Sequence, residues 1–112
     1  MVISQMELNK VKKLLIKQGF KVEENRSFRG NSGIKHSFPL LALRGSNKIV
    51  IEFSEGLNLE RDIVSLYVRC MDIGIRERML ILVKKSKIDD NTLKLASKLG
   101  IKLVNLSDWS SS

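Results

Sequence analysis

The residues best equipped for chemistry in this sequence are its cations. Lys10, Lys13 and Lys17 stand three and four apart, so on a helix they line one stripe that could track a phosphate backbone. Arg26, Arg29 and Lys35 sit in a polar stretch with Gly30 and Gly33, where long side chains reach phosphates and glycines let the backbone approach closely. His36 closes that stretch. It can contact DNA or act as an acid or base, or it can orient the loop by hydrogen bonding to backbone. Lys84, Lys85 and Lys87 form another basic cluster. The alternative for all of them is a solvated basic face.

Composition points the same way. Twenty Lys and Arg against 12 Asp and Glu leave a net charge of +8, which argues for a polyanionic partner, nucleic acid before membrane. Only 5% of residues are aromatic, so extensive stacking of single-stranded bases is disfavoured and duplex or backbone binding is expected. A single cysteine, Cys70, and a single histidine exclude an internal disulfide and the usual Cys/His zinc clusters, and suit a reducing cytoplasm. Apolar runs such as Ile49-Val50-Ile51 and Met79 to Val83 are too short to span a bilayer, and the N-terminus lacks the apolar core of a signal peptide. At 112 residues the chain is expected to form one domain over 1–112.

The elements that must position these residues follow from periodicity. Ser4 and Glu7 have capping-box spacing, and Met6, Val11, Leu14 and Leu15 give a helix face from about Gln5 to Gln18, with Gly19 just past its end. Phe20-Lys21-Val22 reads as a short strand, and Glu23 to Ser37, with no apolar period, as a long loop. Phe38–Leu43 and Lys48–Phe53 form a hairpin across Arg44-Gly45-Ser46-Asn47. A helix over Leu59–Ile73 ends at Gly74. Its Ile63, Leu66, Tyr67, Val68, Cys70, Met71 and Ile73 exceed one apolar stripe. A strand at Met79–Val83, a helix capped by Asp89 or Asp90, and a strand at Ile101–Leu106 complete the order α-β-β-β-α-β-α-β. Right-handed crossovers make the last three strands parallel, so the fold class is α/β with a mixed sheet and helices on both faces. A doubly wound sheet is disfavoured, because no Gly-rich phosphate loop joins a strand to a helix.

This order, together with the Gly30–Phe38 segment running into the hairpin, resembles the restriction-endonuclease-like fold of the PD-(D/E)xK nuclease superfamily, and within it small archaeal nuclease-like proteins and Holliday-junction resolvases. The resemblance spans nearly the whole chain. It implies a metal-binding Asp at the start of the second strand, an Asp or Glu in the third, and a Lys two residues later, acid and lysine facing one cleft because alternate strand residues share a face. In Ile49-Val50-Ile51-Glu52-Phe53-Ser54, Glu52 takes the acidic position and Ser54 stands where the lysine is expected; Pro39 or Leu40 replaces the Asp. Glu7 matches an extra acidic residue of some members, and it is also the capping-box partner of Ser4.

The expectation is therefore a DNA-binding, nuclease-related protein with a degenerate centre and no cofactor, acting in repair, recombination or regulation. An active endonuclease rebuilt around Glu52 would need Mg²⁺ or Mn²⁺, with Glu24 or Glu55 as added acids and Lys35 or Lys48 supplying charge. A protein-interaction module with an incidental basic face is the third class. The resemblance also implies a homodimer, for which the wide apolar surface of the Leu59–Ile73 helix is the candidate face.

Overall fold

Ser4 and Glu7 form the capping box that their spacing predicts. The Glu7 amide donates to Ser4 Oγ at 3.1 Å and the Ser4 amide to Glu7 Oε1 at 3.3 Å, starting helix α1 (Gln5–Lys17). At its other end Gly19, at φ +91°, turns the chain, and the Gly19 and Phe20 amides reach back to the carbonyls of Ile16 and Leu15. The computed structural model describes residues 3–110. In them α1 is followed by strands β1 (Lys21–Arg29), β2 (Lys35–Arg44) and β3 (Asn47–Ser54), helix α2 (Leu59–Ile73), strand β4 (Glu77–Leu82), helix α3 (Asp90–Lys98), strand β5 (Ile101–Asn105) and helix α4 (Leu106–Ser110).

The five strands lie in sequence order in one sheet. β1, β2 and β3 pair antiparallel, while β3, β4 and β5 pair parallel through α2 and α3. Each face carries its own core. Val11 and Leu15 of α1 and Leu106 of α4 pack with Leu40, Ile51, Phe53 and Ile81 on one side; Ile63, Leu66 and Cys70 of α2 and Ala96 of α3 pack with Phe38, Val50 and Leu80 on the other. Strand β4 is covered on both faces, which is why it reads as an unbroken apolar run. No helix among the described residues is long and apolar enough to cross a membrane.

Two expectations need correction. The stretch from Glu23 to Ser37 is not a loop: β1 runs to Arg29, and β2 begins at Lys35, leaving a short connection over 30–34. β1 is an edge strand, held by backbone pairing to β2, with only Val22 and Phe28 packing on the cores, so it carries no apolar alternation to read. Charged side chains and Asn25 at φ +52° protect that edge from further pairing. Second, the last strand stops at Asn105, and Leu106, expected to end it, starts α4 and is buried beside α1.

Cys70 lies in the centre of the α2 core with no exposed surface, and burial pushes its thiol up to about 11. A disulfide reagent at pH 8 is therefore expected to modify the native protein at least about a thousandfold more slowly than the unfolded chain, in parallel with unfolding. Equal rates in the absence and presence of denaturant would contradict the buried position.

Candidate functional site

The β2–β3 ladder pairs Leu40 with Ile51 and ends there. In the same register Pro39 falls opposite Glu52, and a proline has no amide hydrogen with which to extend the pairing. A cleft of about 320 Å³ opens beyond this point, with Pro39, Glu52, Asp62, Ser65 and Arg69 among its walls. Of the two candidates for the second-strand position, Pro39 thus meets Glu52 at one cleft, whereas Leu40 is buried in the core.

Glu52 faces α2, as does Ser54 two residues on, in keeping with strand periodicity. Their roles differ. Glu52 Oε2 accepts from Arg69 Nη1 at 3.3 Å, both side chains about three-quarters buried, and Glu52 Oε1 accepts from the Phe53 amide at 2.9 Å. Arg69 is fixed in turn by its Nε donating to the Ser65 carbonyl at 3.3 Å and by the Phe38 ring 5.1 Å below its guanidinium. Ser54, only 1% exposed, donates to Asp62 Oδ2 at 2.6 Å and accepts from the Gly56 amide at 3.0 Å, tying the end of β3 to the first turn of α2.

This donor set does not suit a divalent cation. Glu52 is engaged by a guanidinium and Asp62 by a hydroxyl, and no group of three or more His, Cys, Asp or Glu among the described residues could hold a metal ion. The cation facing the cleft is Arg69 on α2, which strand-based reasoning missed; its spacing from Asp62 and Ser65 on one helix face was the available signal. Neither Lys35 nor Lys48 lines the cleft. Glu24 pairs with Lys12 at 2.8 Å, joining β1 to α1, and Glu55 lines a neighbouring hollow with Asn58 and Arg61. Glu7 serves the cap of α1 and does not line the cleft.

The basic residues are distributed over a second region. Lys10, Lys13 and Lys17 are exposed along α1, and Lys35 is exposed where β2 begins. Arg26 pairs with Glu23 and lies 5.3 Å over the Phe28 ring; Arg29 Nη1 donates to the Gly33 carbonyl at 3.1 Å. His36 bonds through Nε2 to Asp72 Oδ2 at 2.6 Å, a carboxylate of α2 and not the backbone partner expected of it. Asp72 also accepts from Ser32 Oγ at 2.6 Å and the Ser32 amide at 2.9 Å, and its carbonyl accepts from the Asn31 amide at 2.9 Å. The Ser32 hydroxyl and amide, with His36, hold the Asp72 carboxyl well below the ordinary range, at about 2. The β1–β2 turn is therefore latched onto the last turn of α2. Lys85 pairs with Asp108 at 3.3 Å.

On α2, Ile63, Leu66 and Cys70 are core, and Tyr67 and Ile73 pack against it. The surface left over consists of Val64, Val68 and Met71, each about half exposed, along one stripe.

No family model matches the sequence, and no curated protein matches it. Solved structures do. The chain is similar to AF1548, a protein of unknown function, with 23% identity and a TM-score of 0.71 over 92% of this chain and 59% of that one. It is similar to Can2 from Sulfobacillus thermosulfidooxidans, whose structure is a complex with cyclic tetra-adenylate, with 14% identity and a TM-score of 0.71 over 95% of this chain and 32% of that one. It is also similar to VC1899 from Vibrio cholerae, with 15% identity and a TM-score of 0.60 over 95% of this chain and 30% of that one. The chain thus spans less than two thirds of each of these proteins, and what it shares with them is the mixed α/β fold.

Proposed function

We propose that this chain is a DNA-binding, nuclease-related domain of restriction-endonuclease-like architecture whose catalytic centre is degenerate, acting in repair, recombination or regulation. The observation that carries the reading is the pairing of positions at the cleft: Pro39 lies in register with Glu52, and Arg69 occupies the Glu52 carboxylate. A nuclease centre of the resembled kind needs two carboxylates converging on a metal and a lysine beside them. Here the first acid is a proline, the second is neutralised by an arginine, and the lysine position is a buried serine bound to Asp62. The exposed lysines of α1 supply the electrostatic contact to duplex or branched DNA, and the Val64, Val68 and Met71 stripe is the surface we assign to pairing of two copies.

Labelled duplex, single-stranded and four-way-junction DNA, each titrated with and without Mg²⁺ or Mn²⁺ and followed for both binding and cleavage, tests this reading. Salt-sensitive binding without cleavage is expected, unchanged in Glu52→Ala. Reversal of Lys10, Lys13 and Lys17 to Glu should lower the slope of log K against log salt by about 2–3, near 0.9 for each lost phosphate contact. Metal-dependent cleavage lost in Glu52→Ala would establish a rebuilt nuclease, and weak binding with little salt dependence would point to a protein-interaction module.

A further inference from the structure

The face of the sheet covered by α1 and α4 is not fully covered. Beside the C-terminal end of α1 lies a cavity of about 410 Å³, and beside α4 one of about 440 Å³; Gln18, Met79 and Lys102 line both, so the two form one groove. Apolar side chains occur along its length, with Phe20 and Ile49 at one end, Met79 shared by both cavities, and Val104 and Trp109 at the other end. Its charge is one-sided. Arg44, Arg76, Arg78 and Lys102 line it, against Glu77 and an Asp108 that is paired with Lys85.

Arg78 is committed to the carbonyls of Ile75 and Leu99, and the other three cations differ in how they are held. The Arg44 guanidinium is stacked 4.2 Å over the Phe20 ring and donates one Nη1 bond to the Gln18 carbonyl at 2.9 Å, so it is ordered in advance with donors to spare. Arg76 and Lys102 are exposed and, among the described residues, engage no carboxylate. An apolar trough with a cationic rim fits one ligand chemistry: an organic anion with an apolar body that fills the groove and an acidic head that meets the rim. The groove lies on the opposite face of the sheet from Glu52, which turns toward α2, so this site is separate from the cleft.

We propose that this groove binds a small organic anion, its apolar body between Met79 and Trp109 and its phosphate, sulfonate or carboxylate at Arg44, Arg76 and Lys102. The proposal does not rest on DNA binding. The test uses 1-anilinonaphthalene-8-sulfonate as the probe, with N-phenyl-1-naphthylamine as the same body lacking the acid. Trp109 is the only tryptophan, so its emission reports occupancy of the groove directly. The expected result is saturable binding of one sulfonate per chain with quenching of Trp109. Affinity should fall about tenfold or more in Arg76→Glu/Lys102→Glu and rise in Glu77→Gln, the neutral probe being indifferent to both. Unfolding midpoints of the variants, all at exposed positions, show whether the groove is intact, and Glu77→Gln supplies a reading that does not depend on charge reversal. Sulfonate binding unchanged by every charge variant, binding that leaves Trp109 emission unaltered, or no binding would each overturn the proposal.

Discussion

Alanine at position 30 is expected to destabilise the protein by about 2 kcal/mol, although Gly30 lies in a short surface turn with no need for a left-handed backbone. The reason is contact. A Cβ on residue 30 would overlap the carboxylate of Asp72, whose Oδ1 would lie 2.8 Å from it. Either Asp72 withdraws and loses Ser32 and His36, or the turn lifts and the Asn31 amide leaves the Asp72 carbonyl. A double-mutant cycle separates this from a generic turn effect: in Asp72→Ala, from which the carboxylate is gone, Gly30→Ala should cost little. Additive effects in urea unfolding would sink the explanation. The same latch has a pH signature. The Asp72 carboxyl titrates lower in the folded protein than its ordinary 3.8, so its stabilisation is complete above that value and is lost as pH falls toward about 2. Asp72→Ala should flatten the acid limb of stability across that window.

The second large effect is expected at Arg78, which is only 8% exposed and has no carboxylate partner. Its guanidinium donates from Nη1 to the carbonyl of Leu99, the C-cap of α3, at 2.8 Å, and from Nε to the carbonyl of Ile75, just past the end of α2, at 3.2 Å. Nη2 reaches Met71 Sδ at 3.4 Å, and the Tyr67 ring lies 5.0 Å below. One cation thus sits beside the negative ends of two helices, satisfying the C-cap carbonyl of α3 and the carbonyl of the residue that follows the C-cap of α2. Arg78→Ala removes that cation, its packing on Tyr67 and the two hydrogen bonds together. The expected loss is about 3–4 kcal/mol, and of the order of 10–20 °C in Tm. Lysine should recover little of it, because a single ammonium cannot span the two carbonyls and the ring as the planar fork does. A loss under about 1 kcal/mol in Arg78→Ala would show that water serves those carbonyls equally well.

Arg78 drew no notice in the sequence, and Gly30 was read there as room for a phosphate and not for Asp72; the pattern has a physical basis. Where structure depends on neighbours in the chain, it was legible. The capping box of Ser4 and Glu7, Asp89 as the cap of α3 bonded to the Thr92 amide at 2.7 Å, the Gly19 and Gly74 stops and the Gly45-Ser46 turn are local devices, written in three to six residues each. The buried strands β3 and β4 and the two-sided helix α2 declared themselves by apolar content, and the parallel pairing of β3, β4 and β5 followed from the helices between them. Glu52 and Ser54 share a face because a strand has a period of two.

Only the tertiary structure decided the partners. An edge strand such as β1 is specified by hydrogen bonds from β2 and not by its own side chains, so its polar sequence looked like loop. Asp72 is one acidic residue near the end of a helix until folding brings Gly30, Ser32 and His36 against it from 36 or more positions away. Arg69 reaches Glu52 across 17 positions and turns a candidate metal carboxylate into one half of an ion pair. A local sequence window carries propensity, capping and amphipathic period, all set within a turn or two of chain. Which charge neutralises which, and which backbone needs room, depends on distances between segments that exist only once the sheet has closed.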